Sequence, residues 1–127
     1  MIKCIIHCSD SPQGRGDNAE TIHKWHKERG FDGIGYHYVI LEDGTIESGR
    51  PEYWSGAHAK GYNNSIGVCL IGDSIFTHAQ FIALEKLLKE KEFNRSEVVG
   101  HYAVDDRKTC PNFNVDNFLI AIELKDK

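Results

Sequence analysis

The sequence predicts an α/β fold: a single domain, residues 1–127, with a mixed central β-sheet flanked by helices. Three observations carry this expectation. Apolar runs of strand length alternate with amphipathic runs of helix length. An Asp43-Gly44 pair between two β-rich runs inserts a hairpin, which a purely parallel sheet would not contain. The length, 127 residues, suits one compact core.

Ile2 to His7 reads as a buried strand, followed by the loop Ser9-Asp10-Ser11-Pro12-Gln13-Gly14. Alternation puts Cys4 and Ile6 on one face and Ile5 and His7 on the other. Asp17 or Asn18 can cap a helix that runs to Arg29 and ends at Gly30. Ile22, Trp25 and Arg29 form its expected stripe. His23 and His26 could ligate a metal, but no third ligand is near in sequence, so a solvated or partly packed face is the favoured reading.

Gly35 to Leu41 and Ile46 to Arg50 are the two arms of the hairpin. A polar loop from Gly56 to Ser65 leads to a second buried strand, Ile66 to Ile71. Thr77 is a natural N-cap for a helix from His78 to Lys91, with Phe81, Leu84, Leu87 and Leu88 at helical spacing. Val98 to His101 is a short strand. A charged loop follows through Lys108-Thr109-Cys110-Pro111. The last helix starts near Val115 and carries Phe118, Leu119 and Ile122, with Asp116 favourably placed in its first turn.

The composition is 40% hydrophobic and 27% charged, which excludes a disordered or collagen-like chain. A net charge of −4 argues against nucleic-acid binding, which normally needs a basic surface. No apolar run approaches the ~20 residues that cross a bilayer, so no membrane insertion is expected. The first residues carry no signal-peptide pattern, and a cytoplasmic location is the expectation. The four cysteines then count first as thiols or metal ligands. Cys4 and Cys8 would lie about 13 Å apart along one strand, beyond disulfide reach.

Two histidines, His7 and His101, end predicted strands, and Cys110 lies in the loop after His101. Two imidazoles and a thiolate would make a catalytic zinc set with a fourth position for water. On spacing alone a structural role for these residues is equally open. Lys108 lies two residues before Cys110 and could stabilise an oxyanion; a solvated surface charge is its alternative. Tyr36 follows Gly33 and Gly35, and its alternative is a core aromatic with a bonded hydroxyl.

These pieces resemble the zinc-dependent N-acetylmuramoyl-L-alanine amidases, the family that also contains the peptidoglycan-recognition proteins. The likeness is closest to small single-domain phage endolysins of the T-odd coliphage lysozyme type. It is carried by Ile5-Ile6-His7-Cys8-Ser9, Gly35-Tyr36-His37-Tyr38, Asp43-Gly44-Thr45 with Gly49-Arg50, and Gly56-Ala57-His58. Gly61-Tyr62-Asn63 leading to Ser65-Ile66-Gly67-Val68-Cys69, and Gly100-His101 with Lys108-Thr109-Cys110-Pro111, complete the set. The segments run in the family's order from residue 2 to about residue 118.

The resemblance implies one zinc ion (Zn2+) held by His7, His101 and Cys110, with Tyr36 and Lys108 catalytic. It implies a monomer that acts on bacterial peptidoglycan after release from the cytoplasm, the host's if the chain is phage-encoded. The bond cut would join N-acetylmuramic acid to L-alanine of the stem peptide. His58 and Asn63 are expected to line the substrate groove, a plain loop residue being the alternative for His58. His37 should face away from the metal, His78 reads as surface, and Cys4, Cys8 and Cys69 read as small core residues. Two positions depart from the family's pattern: Tyr102 follows His101 where arginine is common, and Asn112 follows Pro111 where some members have glycine. Rival readings are a non-catalytic peptidoglycan-binding module, a metal-free thiol hydrolase and a structural zinc protein. Cys110 favours the enzyme over the binding module.

Overall fold

A computed structural model describes residues 1–126. It contains five strands, β1 (Cys4–Cys8), β2 (Tyr38–Ile40), β3 (Ile46–Ser48), β4 (Ile66–Leu70) and β5 (Val98–Gly100). The helices are α1 (Ala19–Glu28), α2 (His78–Glu90) and α3 (Val115–Ala121). The strands form one sheet in the order β3-β2-β4-β1-β5. β1 pairs parallel with both β4 and β5, β2 pairs parallel with β4, and β2 and β3 pair antiparallel. The sheet is therefore mixed, as the interposed hairpin predicts.

Both faces of the sheet are covered. On one, Cys4, Ile6, Ile40, Val68 and Leu70 pack with Leu84, Leu87 and Leu88 of α2 and Val115 and Leu119 of α3. On the other, Ile22 of α1 packs with Ile34, Val39, Cys69 and Ile71. Burial on both faces explains why β1 and β4 read as continuous apolar runs rather than alternating ones.

The helix starts follow the expected capping chemistry. Thr77 Oγ1 accepts from Gln80 N at 3.1 Å, and Gln80 Oε1 accepts from Thr77 N at 2.9 Å. Such a cap stabilises by about 1 kcal/mol. The buried Gln80 amide also donates to the carbonyls of Ile40 and Ile71, which fastens α2 to the ends of β2 and β4. Asn18 caps α1 through the Thr21 N–H at 3.0 Å. In the hairpin turn, Asp43 accepts from Thr45 N at 2.9 Å and Gly44 takes a φ of 90°.

Two details differ from expectation. α1 buries Ile22 and His26 rather than the stripe through Arg29, because His26 is drawn inward by a backbone amide described below. β5 ends at Gly100, since β1 pairs with it over only three residues, and His101 opens a 3₁₀ turn.

Candidate active site

The carboxyl ends of β1, β2, β4 and β5 lie at one edge of the sheet, where α/β folds commonly build sites. In the β1–β5 register Ile6 lies opposite Gly100, so His7 and His101 are the next residues on adjacent chains. Their ring centroids are 4.4 Å apart. Residues 94 positions apart in sequence meet here because two short parallel strands end together.

Cys110 comes to the same edge. Its Sγ accepts a hydrogen bond from Cys8 N at 2.9 Å and lies 2.9 Å from Cys8 Sγ. The Cys110 carbonyl accepts from Tyr102 N at 3.0 Å, which folds the charged loop back onto the residue after His101. Donation by Cys8 to Cys110 lowers the Cys110 thiol pKa and raises that of Cys8. Cys8 is therefore more than a packing residue. All four cysteines are free thiols. Among the described residues, no group of three or more His, Cys, Asp or Glu side chains converges as a ready-made metal cluster. His7 and His101 are together, and the Cys110 sulfur is turned onto Cys8.

Lys108 is exposed on the same loop. Its charge reaches both histidines, contributing to the lowering of the His7 and His101 pKa values behind the larger effect of burial. The Tyr36 ring lies 5.0 Å from that of His7. Burial holds the Tyr36 phenol well above its usual range, so it stays protonated.

The loop histidine His58 is tied to the site from below. Its Nδ1 lies 2.8 Å from His7 Nε2, and its Nε2 lies 3.0 Å from the Ser65 carbonyl oxygen. Burial lowers its pKa to about 4, so the ring is neutral near neutrality. The Asn63 carboxamide oxygen accepts from both His58 N and Ala59 N, at 2.8 and 2.9 Å. Sequence reasoning put His58 and Asn63 on the groove wall; the structure spends both ring nitrogens of His58, and the amide oxygen of Asn63, on internal bonds. His37, expected to face away from the metal, instead lies two residues before Val39, which shares its sheet face with Cys69 and His7, and its ring is 5.8 Å from that of His58. It accepts from Gly67 N at 3.0 Å and donates to the Trp54 carbonyl at 2.9 Å, holding loop to strand.

The α1 histidines also serve the backbone. His23 Nδ1 accepts from Ile34 N at 3.0 Å and His26 Nδ1 from Gly35 N at 2.9 Å. They anchor the segment that delivers Tyr36, and the His26 ring packs 5.4 Å from the Tyr36 ring. Burial lowers the His26 pKa to about 4. The unfolded chain, with its ordinary value of 6.5, therefore takes up this proton first. The stability that the neutral ring contributes is complete above about pH 6.5 and is lost as pH falls toward 4. The melting midpoint should drop across that window, and His26→Gln should make the drop shallower. Parallel pH profiles for the two proteins would refute this.

The two departures from the family's pattern have structural roles. The Tyr102 hydroxyl accepts from Val115 N at 3.0 Å and so receives the first turn of α3. Asn112 takes a φ of 66°, the left-handed region that a glycine would occupy without strain and that asparagine tolerates best among the rest. Its side chain also donates to the Asp73 carbonyl, pinning the Cys110 loop to the end of β4.

A cleft of about 450 Å³ lies between the loop that carries Lys60 and Tyr62 and the loop, residues 102–107, that joins His101 to Lys108. Lys60, Tyr62 and Tyr102 to Arg107 line it; His7, His101, Lys108 and Cys110 do not.

Comparison with known proteins shows the family and the fold. The endolysin of Escherichia phage T7 is 40% identical over 131 aligned positions, covering 94% of this chain and 86% of that protein. The endolysin of Enterobacteria phage T3 is 41% identical with the same coverage. Among solved structures, the N-acetylmuramoyl-L-alanine amidase LysC from Clostridium intestinale superposes with a TM-score of 0.81 at 28% identity, covering 97% of this chain and 85% of LysC. Drosophila PGRP-LB superposes at 0.77 and 28% identity, covering 92% and 78%. The family model described as N-acetylmuramoyl-L-alanine amidase matches residues 3–113, and the chain belongs to that family.

Proposed function

We propose that this chain is an endolysin-type peptidoglycan amidase that cuts between N-acetylmuramic acid and L-alanine of the stem peptide, with one zinc ion held by His7, His101 and Cys110. Family membership and the endolysin relatives support the amidase activity. The observation that carries the site is the meeting of His7 and His101 at the strand ends, with Cys110 Sγ held on Cys8, the residue after His7.

The donor chemistry fits zinc. Both imidazoles are neutral near pH 7 because burial lowers their pKa values. The thiol is the one in the pair whose deprotonation is favoured, and the Cys8 N–H that favours it is a typical supporting contact for a ligating sulfur. A soft thiolate with imidazoles selects zinc over magnesium or calcium. Zinc, when bound, lowers the pKa of its water to roughly 7 and polarises the scissile carbonyl.

The chain's own residues then have distinct tasks. The cleft lined by Lys60, Tyr62 and Tyr102, the residue after His101, seats the stem peptide and glycan. The Lys108 ammonium, exposed on the loop between His101 and Cys110 and felt by both histidines, faces the oxygen on which negative charge develops. Tyr36, kept protonated and packed on His7, is a hydrogen-bond donor that orients the attacking water. No helix among the described residues is long and apolar enough to cross a membrane.

Mass analysis of digested peptidoglycan tests the bond, and metal content with chelation tests the ion. Free stem peptides with intact glycan strands are expected. A chelator should abolish their release and added zinc should restore it. Full activity in metal-free protein would overturn the zinc assignment, and retained activity under chelation with loss on thiol alkylation would favour a cysteine hydrolase instead.

A further inference from the structure

We infer that His58 is a positioning residue: a hydrogen-bond relay that runs from His7 through His58 and ends on the Ser65 carbonyl fixes which nitrogen of His7 is left bare for the metal. The inference rests on the zinc reading above and deepens it.

The argument is one of donors and acceptors. The Ser65 carbonyl oxygen, 3.0 Å from His58 Nε2, can only accept, so that nitrogen carries the proton. A neutral ring with its proton on Nε2 presents Nδ1 as an acceptor. His58 Nδ1 therefore receives the hydrogen bond from His7 Nε2 at 2.8 Å, and the proton of His7 is held on Nε2. His7 Nδ1 is left with its lone pair. A metal-ligating histidine commonly has its other nitrogen held in this way, which fixes tautomer and ring orientation. Here the holder is a second histidine whose own tautomer is set by a main-chain carbonyl.

Much of the surrounding loop serves this ring. A Cβ on Gly56 would lie 2.4 Å from the His58 ring, and one on Gly67 would lie 2.7 Å from it. Asn63 clamps the main chain at His58 and Ala59. Gly56, His58, Asn63, Ser65 and Gly67 are thus one device, which accounts for five positions of the Gly56-to-Gly67 motif without invoking contact with substrate.

Nitrogen-15 spectra of histidine in the zinc-free wild-type chain test the tautomer directly. His7 should show a protonated Nε2 and an unprotonated Nδ1; the reverse would overturn the proposal without any variant. His58→Phe keeps a flat aromatic ring and removes the acceptor. Its zinc affinity, read by competition with a chelator, should fall about 10–100-fold, with His7 in mixed tautomers. His58→Asn places a carboxamide oxygen near the Nδ1 position and should recover most of both. Sedimentation with insoluble peptidoglycan should be unchanged in each variant. A folded His58→Phe with wild-type tautomer and zinc affinity would refute the relay, and lost sedimentation with full zinc affinity would make His58 a substrate contact. If the wild type itself takes up no zinc, the metal assignment fails, while the His7 tautomer still decides the relay.

Discussion

Cys110→Ser is expected to sediment with insoluble peptidoglycan as the parent does and to release no stem peptides. Serine is nearly isosteric, so the loop keeps its backbone bond from Tyr102 N to the residue 110 carbonyl. The side chain, however, changes from an acid to a near-inert hydroxyl. The thiol of Cys110 is already biased toward deprotonation by Cys8, and a coordinating thiol gives up its proton outright, whereas serine stays protonated near neutrality. The metal and its hydroxide should be weakened together. The cleft between the 57–65 and 102–107 loops does not depend on the sulfur. Zinc content by elemental analysis, sedimentation and mass analysis of the digest separate these outcomes. Stem peptides released at the wild-type rate by a zinc-replete variant would show that Cys110 is no ligand.

Lys108→Ala should lower turnover on purified wall by about 10²–10³, the usual effect of removing one oxyanion donor. Folding and zinc content should not change, because Lys108 is exposed and its main-chain N–H, bonded to Asp105, is retained. Tyr36→Phe should also lose turnover, yet keep the fold, since the ring packs on His7 and His26 without the hydroxyl. A wild-type rate in Lys108→Ala would return that residue to a solvated surface charge.

The sequence alone determined the layout of the fold. Strand and helix periods, the Asp43-Gly44 turn and the caps at Asn18 and Thr77 are local signals, and each came out where nearest-neighbour chemistry put it. The strand-end positions of His7 and His101 were legible for the same reason, and the family's motif order supplied Cys110, Lys108 and Tyr36 as expectations. Tertiary structure decided which groups meet. That Ile6 pairs with Gly100, and so sets His7 beside His101, is a register between chains far apart in sequence. The partner of a buried polar atom is equally non-local: His58 reads as a loop residue until the Ser65 carbonyl and His7 are found on either side of its ring. Cys8 reads as a small core residue until Cys110 arrives from 102 positions away. His23 and His26 read as a solvated or partly packed helix face, and only the fold shows that the amides of Ile34 and Gly35 dock on them. Periodicity records which side of an element is buried, because apolar burial is non-directional and shows in residue type alone. A hydrogen bond needs one donor and one acceptor at a set distance and angle, and that geometry exists only once the chain has folded.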